Sequence, residues 1–234
     1  MRKIRFSAKQ FMQKEVYIIR GLPAEDYKSF SDRMHKLSEE ILKRAEVDRL
    51  KICLTLERPP RISIIPFKRS KVAVFSVFRT NNSVLETITQ EAAYAGGYAV
   101  EEVIPLGYTK TWEDGEQTPG ACLLTLFHRK PGIDQDTFIR RWFEGHTPLS
   151  LKLHPLWNYN RNVVHGTLTE GSVWYDGIVE EQVRKPADLL NPFIFFGPPL
   201  KVPVHMYQVF KDSRSFIDMR RIETYLAGEI HLKS

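Results

Sequence analysis

Cysteine is nearly missing from this chain: among 234 residues only Cys53 and Cys122 occur, in separate apolar runs and without Cys-x-x-Cys spacing. A disulfide-stapled scaffold and a thiolate metal centre are thereby set aside, and two buried free thiols in a reducing compartment are expected. Long apolar runs are missing too. No window approaches ~18 uncharged apolar residues, so no membrane-spanning helix is expected. The basic opening Met1 to Gln10 lacks the apolar stretch of a secretory signal, and the cytoplasm is the expected location. Nor does the chain carry a Gly-rich phosphate loop, a G-x-S-x-G elbow or an H-E-x-x-H pair. The P-loop, serine-hydrolase and zinc-peptidase chemistries tied to them lose their support.

Charge of one sign is not concentrated either. The net charge is +6, but 34 Lys and Arg are interleaved with 28 Asp and Glu. The densest basic patch, Lys68-Arg69-Ser70-Lys71, is short and lacks the interleaved aromatics of single-strand binders. A solvated surface is the expected use of that charge, with no nucleic-acid and no membrane partner. The seven histidines are scattered, so no protein metal site is expected.

What is present is an ordinary globular composition, 42% hydrophobic and 26% charged, at a length that suits one large domain or two of about 110 residues. Glu15 to Arg20 reads as a strand. Ala24 to Ala45 carries Tyr27, Phe30, Met34, Leu37 and Ile41 on one helical stripe. Lys51 to Leu56 and Val72 to Phe78 read as strands, with Arg61 to Phe67 a short edge strand or extended connection between them. A helix is predicted from Ser83, with Ser83 and Glu86 as a capping box, as far as Gly96-Gly97. Tyr108 to Trp112 is the last predicted strand of this half.

Glu113 to Gly120, acidic and polar with two glycines and a proline, is the clearest boundary. The order then restarts. Ala121 to Phe127 is a strand, Asp134 to Gly145 a helix capped by Asp134, Asn158 to Leu168 and Val173 to Val183 strands, Val204 to Ile217 a helix and Ile222 to Leu232 a strand. Both halves read β-α-β-β-α-β, so the expected fold is α+β: two tandem ferredoxin-like modules, residues 1–115 and 119–234. Such a module covers only one sheet face with helices. Two in one chain are expected to pack sheet to sheet as an intrachain barrel.

The densest stretch of hydrogen-bonding and aromatic groups is Gly132 to Val164. There Gly145 is expected to end the helix, and Thr147-Pro148 to fix His146 in an extended or turn geometry. His146 is then either a general acid or base between helix and sheet or a C-cap for its own helix. Trp142, one turn earlier, walls the same space or is plain core. In the following strands, alternation places Glu223, Tyr225 and His231 on one face of the last strand and His165 beside Arg161 on another.

Three pieces of the second half resemble the EthD family, named for ethyl tert-butyl ether degradation, of the dimeric α+β barrel superfamily. They are Phe138-Ile139-Arg140-Arg141-Trp142 with His146-x-Pro148-Leu149, then Tyr175-Asp176-Gly177-Ile178-Val179-Glu180, then Ser213 to Asp218. The first half has His35-Lys36-Leu37 where the His-x-Pro would be, so its copy of the motif is degenerate. The resemblance implies a ligand cavity between sheet and helices. It also implies a cofactor-free oxidoreductase or lyase acting on an apolar aromatic or ketonic small molecule.

The expected site is therefore in the second module. His146 moves a proton, Tyr175 or Tyr225 donates to a developing oxyanion, and Asp176 or Glu180 orients the base. Trp142, Asn160, His165, Glu180 and Tyr225 are the expected substrate-binding residues. No cofactor is expected, with haem on a single histidine as the alternative. A non-catalytic binding or accessory protein of an oxidative pathway is the competing reading. An internal barrel suits a monomer, and a homodimer through other surfaces is compatible with it.

Overall fold

A computed structural model describes residues 13–44, 47–79 and 83–234. Its first half runs β1 (Gln13–Arg20), α1 (Tyr27–Arg44), β2 (Val47–Leu54), β3 (Val72–Arg79), α2 (Ser83–Ile88) and β4 (Tyr94–Leu106). The second half runs β5 (Ala121–Phe127), α3 (Gln135–Arg140), a π-helical turn (Arg141–His146), α4 (Thr147–Leu153), β6 (Leu156–Thr167) and β7 (Gly177–Val183). Three further helices, α5 (Pro186–Leu190), α6 (Pro192–Phe195) and α7 (Val202–Phe216), then lead to β8 (Glu223–Lys233).

The eight strands form one closed barrel in the order β1-β3-β2-β8-β5-β7-β6-β4. Each half contributes four neighbours, and the ladders cross between halves at two antiparallel seams. One seam pairs Cys53 with Glu229 and the other Glu102 with Asn162. Closure removes the exposed sheet edges that separate modules would have. Among the described residues no helix is long and apolar enough to cross a membrane.

Strands buried on both faces explain the nearly unbroken apolar runs of β1 and β5. Val16 and Ile18 point into the barrel with Cys53, Val74, Cys122 and Leu124, whereas Tyr17 and Ile19 point out against the helices. Cys53 and Cys122 are free and buried, as expected. On the first half's outer face, α1 buries Phe30, Met34, Leu37 and Ile41, spaced four, three and four apart, against Ile52, Phe75 and Val77. Asp26 caps that helix by accepting from the Ser29 N–H at 2.7 Å.

Several expected boundaries move. Arg61 to Phe67 holds no strand, consistent with Pro66 having no N–H for a ladder. The helix from Ser83 stops at Ile88, and Gly96 and Gly97 lie inside β4 instead of ending a helix. A Cβ at Gly97 would fall 2.9 Å from the Tyr17 ring, so the glycine lets β4 pass close to β1's aromatic. The expected Ser83 side-chain cap lies outside the described residues. Tyr108 to Trp112 is a loop that folds over the barrel end, and Val173 to Asp176 precedes β7 without joining it.

The largest local correction is at Gly145. The helix does not end there: it continues through a π turn into α4, with His146 itself helical at φ −65°, ψ −44°. Pro148 has no N–H and its ring crowds the preceding turn, and the widened turn accommodates both. The Thr147 N–H and hydroxyl both reach back to the Trp142 carbonyl, the hydroxyl at 2.9 Å.

Candidate functional site

The second half's helices do not close tightly on their sheet. Between the outer face of β5, β6, β7 and β8 and the α3–α4 and α7 helices lies a cavity of about 180 Å³. Its walls are mostly apolar: Leu123, Phe127, Trp142, Val179, Phe195 and Phe216 among them. An apolar cavity of roughly 150 Å³ holds a benzene ring, so this one has room for a single-ring molecule.

Glu181 and His146 bring a carboxyl and an imidazole into that apolar space. Glu181, outward-facing on β7 opposite Leu123 and Tyr159, is buried, and its Oε1 has no hydrogen-bond partner among the described residues. Burial pushes its carboxyl up to about 7, although the nearby His146 charge pulls the other way. His146 enters from the π turn. Its Nδ1 lies 2.7 Å from Asp212 of α7 and its Nε2 3.2 Å from the Ser150 hydroxyl. A carboxylate at Asp212 accepts from Nδ1–H; Nε2 accepts from Ser150 when the imidazole is neutral and donates when it is protonated.

Neighbouring groups shape the cavity without adding charge. His154 stacks on Phe195 with ring centroids 3.9 Å apart and meets the Phe195 carbonyl through Nδ1 at 3.0 Å. Burial lowers it to about 4, so it is neutral near pH 7. Trp142 is at once core and wall: it packs edge-on to Phe127 at 5.0 Å, and its Nε1 points to the Tyr159 hydroxyl at 3.4 Å.

Of the eight residues singled out from the sequence, only His146 and Trp142 line this cavity. Tyr175 and Tyr225 lie on the opposite side of the sheet, at one end of the barrel, where both hydroxyls donate to Glu223 and accept from Arg20. No oxyanion at His146 is within their reach. Asp176 accepts the Arg129 N–H at 2.8 Å and fastens the chain leaving β5; it does not orient His146. Glu180 points into the barrel, where Lys51 bridges it to Glu229, the latter at 2.8 Å. Burial opposes the Lys51 charge, but the two carboxylates outweigh it and hold its pKa well above the ordinary value.

Asn160 is also inside the barrel, donating to Glu102 at 2.6 Å beside Lys14. His165 is exposed at the rim, 3.2 Å from Glu101. The acid in contact with His146 is thus Asp212, not Asp176 or Glu180, and the buried acid that lines the cavity is Glu181. Alternation along β7 already separates Glu181 from Glu180. Alternation puts Glu181 on the face of Val179 and Gly177, but only barrel closure shows that this face meets the helices.

Among the described residues no cluster of three or more His, Cys, Asp or Glu could hold a metal ion. A haem does not fit this cavity. Both His146 nitrogens are engaged, and the benzene-scale cavity is far smaller than a four-pyrrole macrocycle.

The EthD domain family matches this chain over residues 130–219, a span holding the π turn, His146, Glu181 and Asp212. No curated protein sequence matches. Among solved structures, the chain is similar to a provisionally assigned monooxygenase of Fusobacterium nucleatum, with 9% identity, a TM-score of 0.50, and 94% of this chain and 92% of that one covered. It is also similar to a provisionally assigned chlorite dismutase (11% identity, TM-score 0.48, 94% and 95% covered). A chlorite dismutase of Candidatus Nitrospira defluvii follows at 10% identity and a TM-score of 0.43, with 93% and 91% covered. At 9% identity the likeness to the first of these speaks for the fold alone, in keeping with the closed eight-stranded barrel.

Proposed function

With an EthD domain over residues 130–219 as the premise, we propose that the chain is a small-molecule enzyme working in the outer cavity of the second half by proton transfer. The carrying observation is Glu181: a buried carboxyl with a free oxygen in an apolar cavity, brought to about 7 by desolvation. A base near the working pH is ionised often enough to act and basic enough to take a proton from a weak carbon or hydroxyl acid. The substrate class is a single-ring ketone or phenol, by cavity size and apolar lining.

In this reading Glu181 removes the proton next to a carbonyl, or from a phenol, and gives it back to the product. His146, protonated and held through Nδ1 by Asp212, offers its Nε2–H to the charge that develops on the substrate oxygen. The enolate or phenolate formed is the species a lyase protonates, or a cofactor-free oxygenase passes to dioxygen. The competing binding-protein reading requires a pocket without convergent titratable groups, or His146 capping its own helix. His146 makes no side-chain cap bond, and it converges with Glu181 on one cavity.

Deuterium exchange tests this without knowledge of the natural substrate. The protein is incubated in heavy water with a panel of single-ring ketones and phenols, and loss of the exchangeable C–H signals is followed by NMR. Wild type should accelerate exchange of at least one member, and Glu181→Gln should not. No acceleration by wild type, or equal acceleration by the variant, would overturn the assignment.

A further inference from the structure

A second depression lies at the barrel end where Tyr175 and Tyr225 sit, on the inner side of β8 and away from the Glu181 cavity. It measures about 640 Å³ and draws residues from both halves: Arg20, Lys68 and Ser70 from the first, His128, Arg220 and Arg221 from the second, over a floor of Tyr175, Tyr225 and Glu223. Four cations, Arg20, Lys68, Arg220 and Arg221, face one carboxylate there.

That carboxylate is already committed. Glu223 accepts from the Tyr175 hydroxyl at 2.6 Å, from the Tyr225 hydroxyl, and from Arg20, whose Nη1 lies 2.9 Å away. Burial opposes ionisation of Glu223, but these donors outweigh it and lower its pKa, so it stays charged and neutralises Arg20. Lys68, Arg220 and Arg221 make no ion pair among the described residues. Two more acids stand nearby without lining the depression: Asp218, which accepts the Arg220 backbone N–H at 3.1 Å, and Asp176, 3.9 Å from Arg129 Nε.

The lining therefore carries three exposed cations beyond the Arg20–Glu223 pair, around a concave mouth above a floor of buried aromatic and paired groups. His128 packs tilted against Tyr175, with ring centroids 5.0 Å apart, and completes the wall. Two adjacent arginines and a lysine around a concave site match a ligand with several anionic oxygens, since guanidinium groups bind such oxygens in pairs. We propose that this mouth is a binding site for a small polyanion, a phosphorylated or polycarboxylated molecule, distinct from the proton-transfer cavity.

The position also explains two basic clusters that appear unrelated in sequence. Lys68 belongs to the Lys68-Arg69-Ser70-Lys71 run and Arg220-Arg221 to the turn before β8; barrel closure brings the two runs to one rim. Their shared placement focuses positive potential on the opening.

The test is calorimetric titration of the full chain at low ionic strength with pyrophosphate and, separately, with citrate. Wild type should bind at least one of them at a single saturable site. The double variant Arg220→Ala/Arg221→Ala, with unchanged circular dichroism, should lose roughly tenfold or more in affinity. Lys201→Ala/Lys211→Ala, which removes as much charge from α7, should bind as wild type does. Pyrophosphate alone binding would mark a phosphate site, and both binding a general polyanion site. No saturable binding of either probe, or equal weakening by the two double variants, would overturn the proposal.

Discussion

The two halves of this barrel share an order of elements and differ in what lies beneath their helices. On the first sheet, Phe75 sits between Tyr17 and Ile52 in register, and α1 fills the space above with Phe30, Met34, Leu37 and Ile41, all fully or nearly fully buried. On the second, Glu181 sits between Leu123 and Tyr159, and the covering helix is broken by a π turn that leaves a cavity. An unbroken 18-residue helix seals its sheet; an interrupted one leaves room and brings a histidine to the edge of that room. One half thus serves as a packed frame, and the other carries a desolvated carboxyl that a frame alone would not tolerate.

The largest effect should come from removing that difference. Glu181→Gln keeps the shape and removes the titratable proton, and should lower kcat roughly a hundredfold to ten-thousandfold on any substrate found by exchange. Wild-type kcat/KM should rise with pH through about 7, and the variant should lack that limb. Stability carries the same signature. The carboxyl is raised from its ordinary 4.5 to about 7 by folding, so its favourable contribution is full below about 4.5 and is lost as pH rises through about 7. The loss is roughly 3 kcal/mol, so Glu181→Gln should gain about that much relative to wild type between pH 4.5 and 8 in urea unfolding.

Two substitutions probe the frame. Lys51 on β2 bridges Glu229 on β8 and Glu180 on β7, close to the seam between halves. Lys51→Met leaves two buried carboxylates uncompensated and should cost about 3–5 kcal/mol in urea unfolding. Phe75→Ala opens a void in the sealed half and should cost about 3–5 kcal/mol as well. In both variants the folded fraction should keep wild-type kcat. A loss of activity per folded molecule would mean that the halves are less separate in function than in packing.

The frame was far more legible in the sequence than the site. Binary patterning marks Val16 to Ile19, Phe30 to Ile41 and Ala121 to Phe127 because burial on known faces fixes residue type at a known period. The His-x-Pro motif likewise marks His146 locally, and the structure places it in the wall of the cavity. Patterning cannot say which face of β7 meets helices and which meets the barrel interior, so Glu180 and Glu181 were interchangeable until closure was known. Asp212 is 66 residues from His146 and meets it only through the packing of α7. The π turn was hidden because Gly145 and Pro148 usually punctuate helices, whereas here the chain widened instead of stopping.

Asp212 supplies the finest distinction between the halves, since in the proposed reaction it acts through His146 and does not line the cavity. Its carboxylate, about a quarter exposed, fixes the Nδ1 proton and turns Nε2 toward Ser150 and the cavity. Asp212→Asn keeps a hydrogen-bonding group but removes the charge, which weakens the contact by roughly 1–2 kcal/mol. Because the gain is made where charge develops on the substrate and not in binding it, kcat should fall about tenfold while KM stays nearly constant. A purely structural Asp212 would instead move KM or the unfolding midpoint and leave kcat per folded molecule alone. Steady-state kinetics with urea unfolding on the same preparation separate the two, and an unchanged kcat would reduce His146 from a positioned proton carrier to a wall of the cavity.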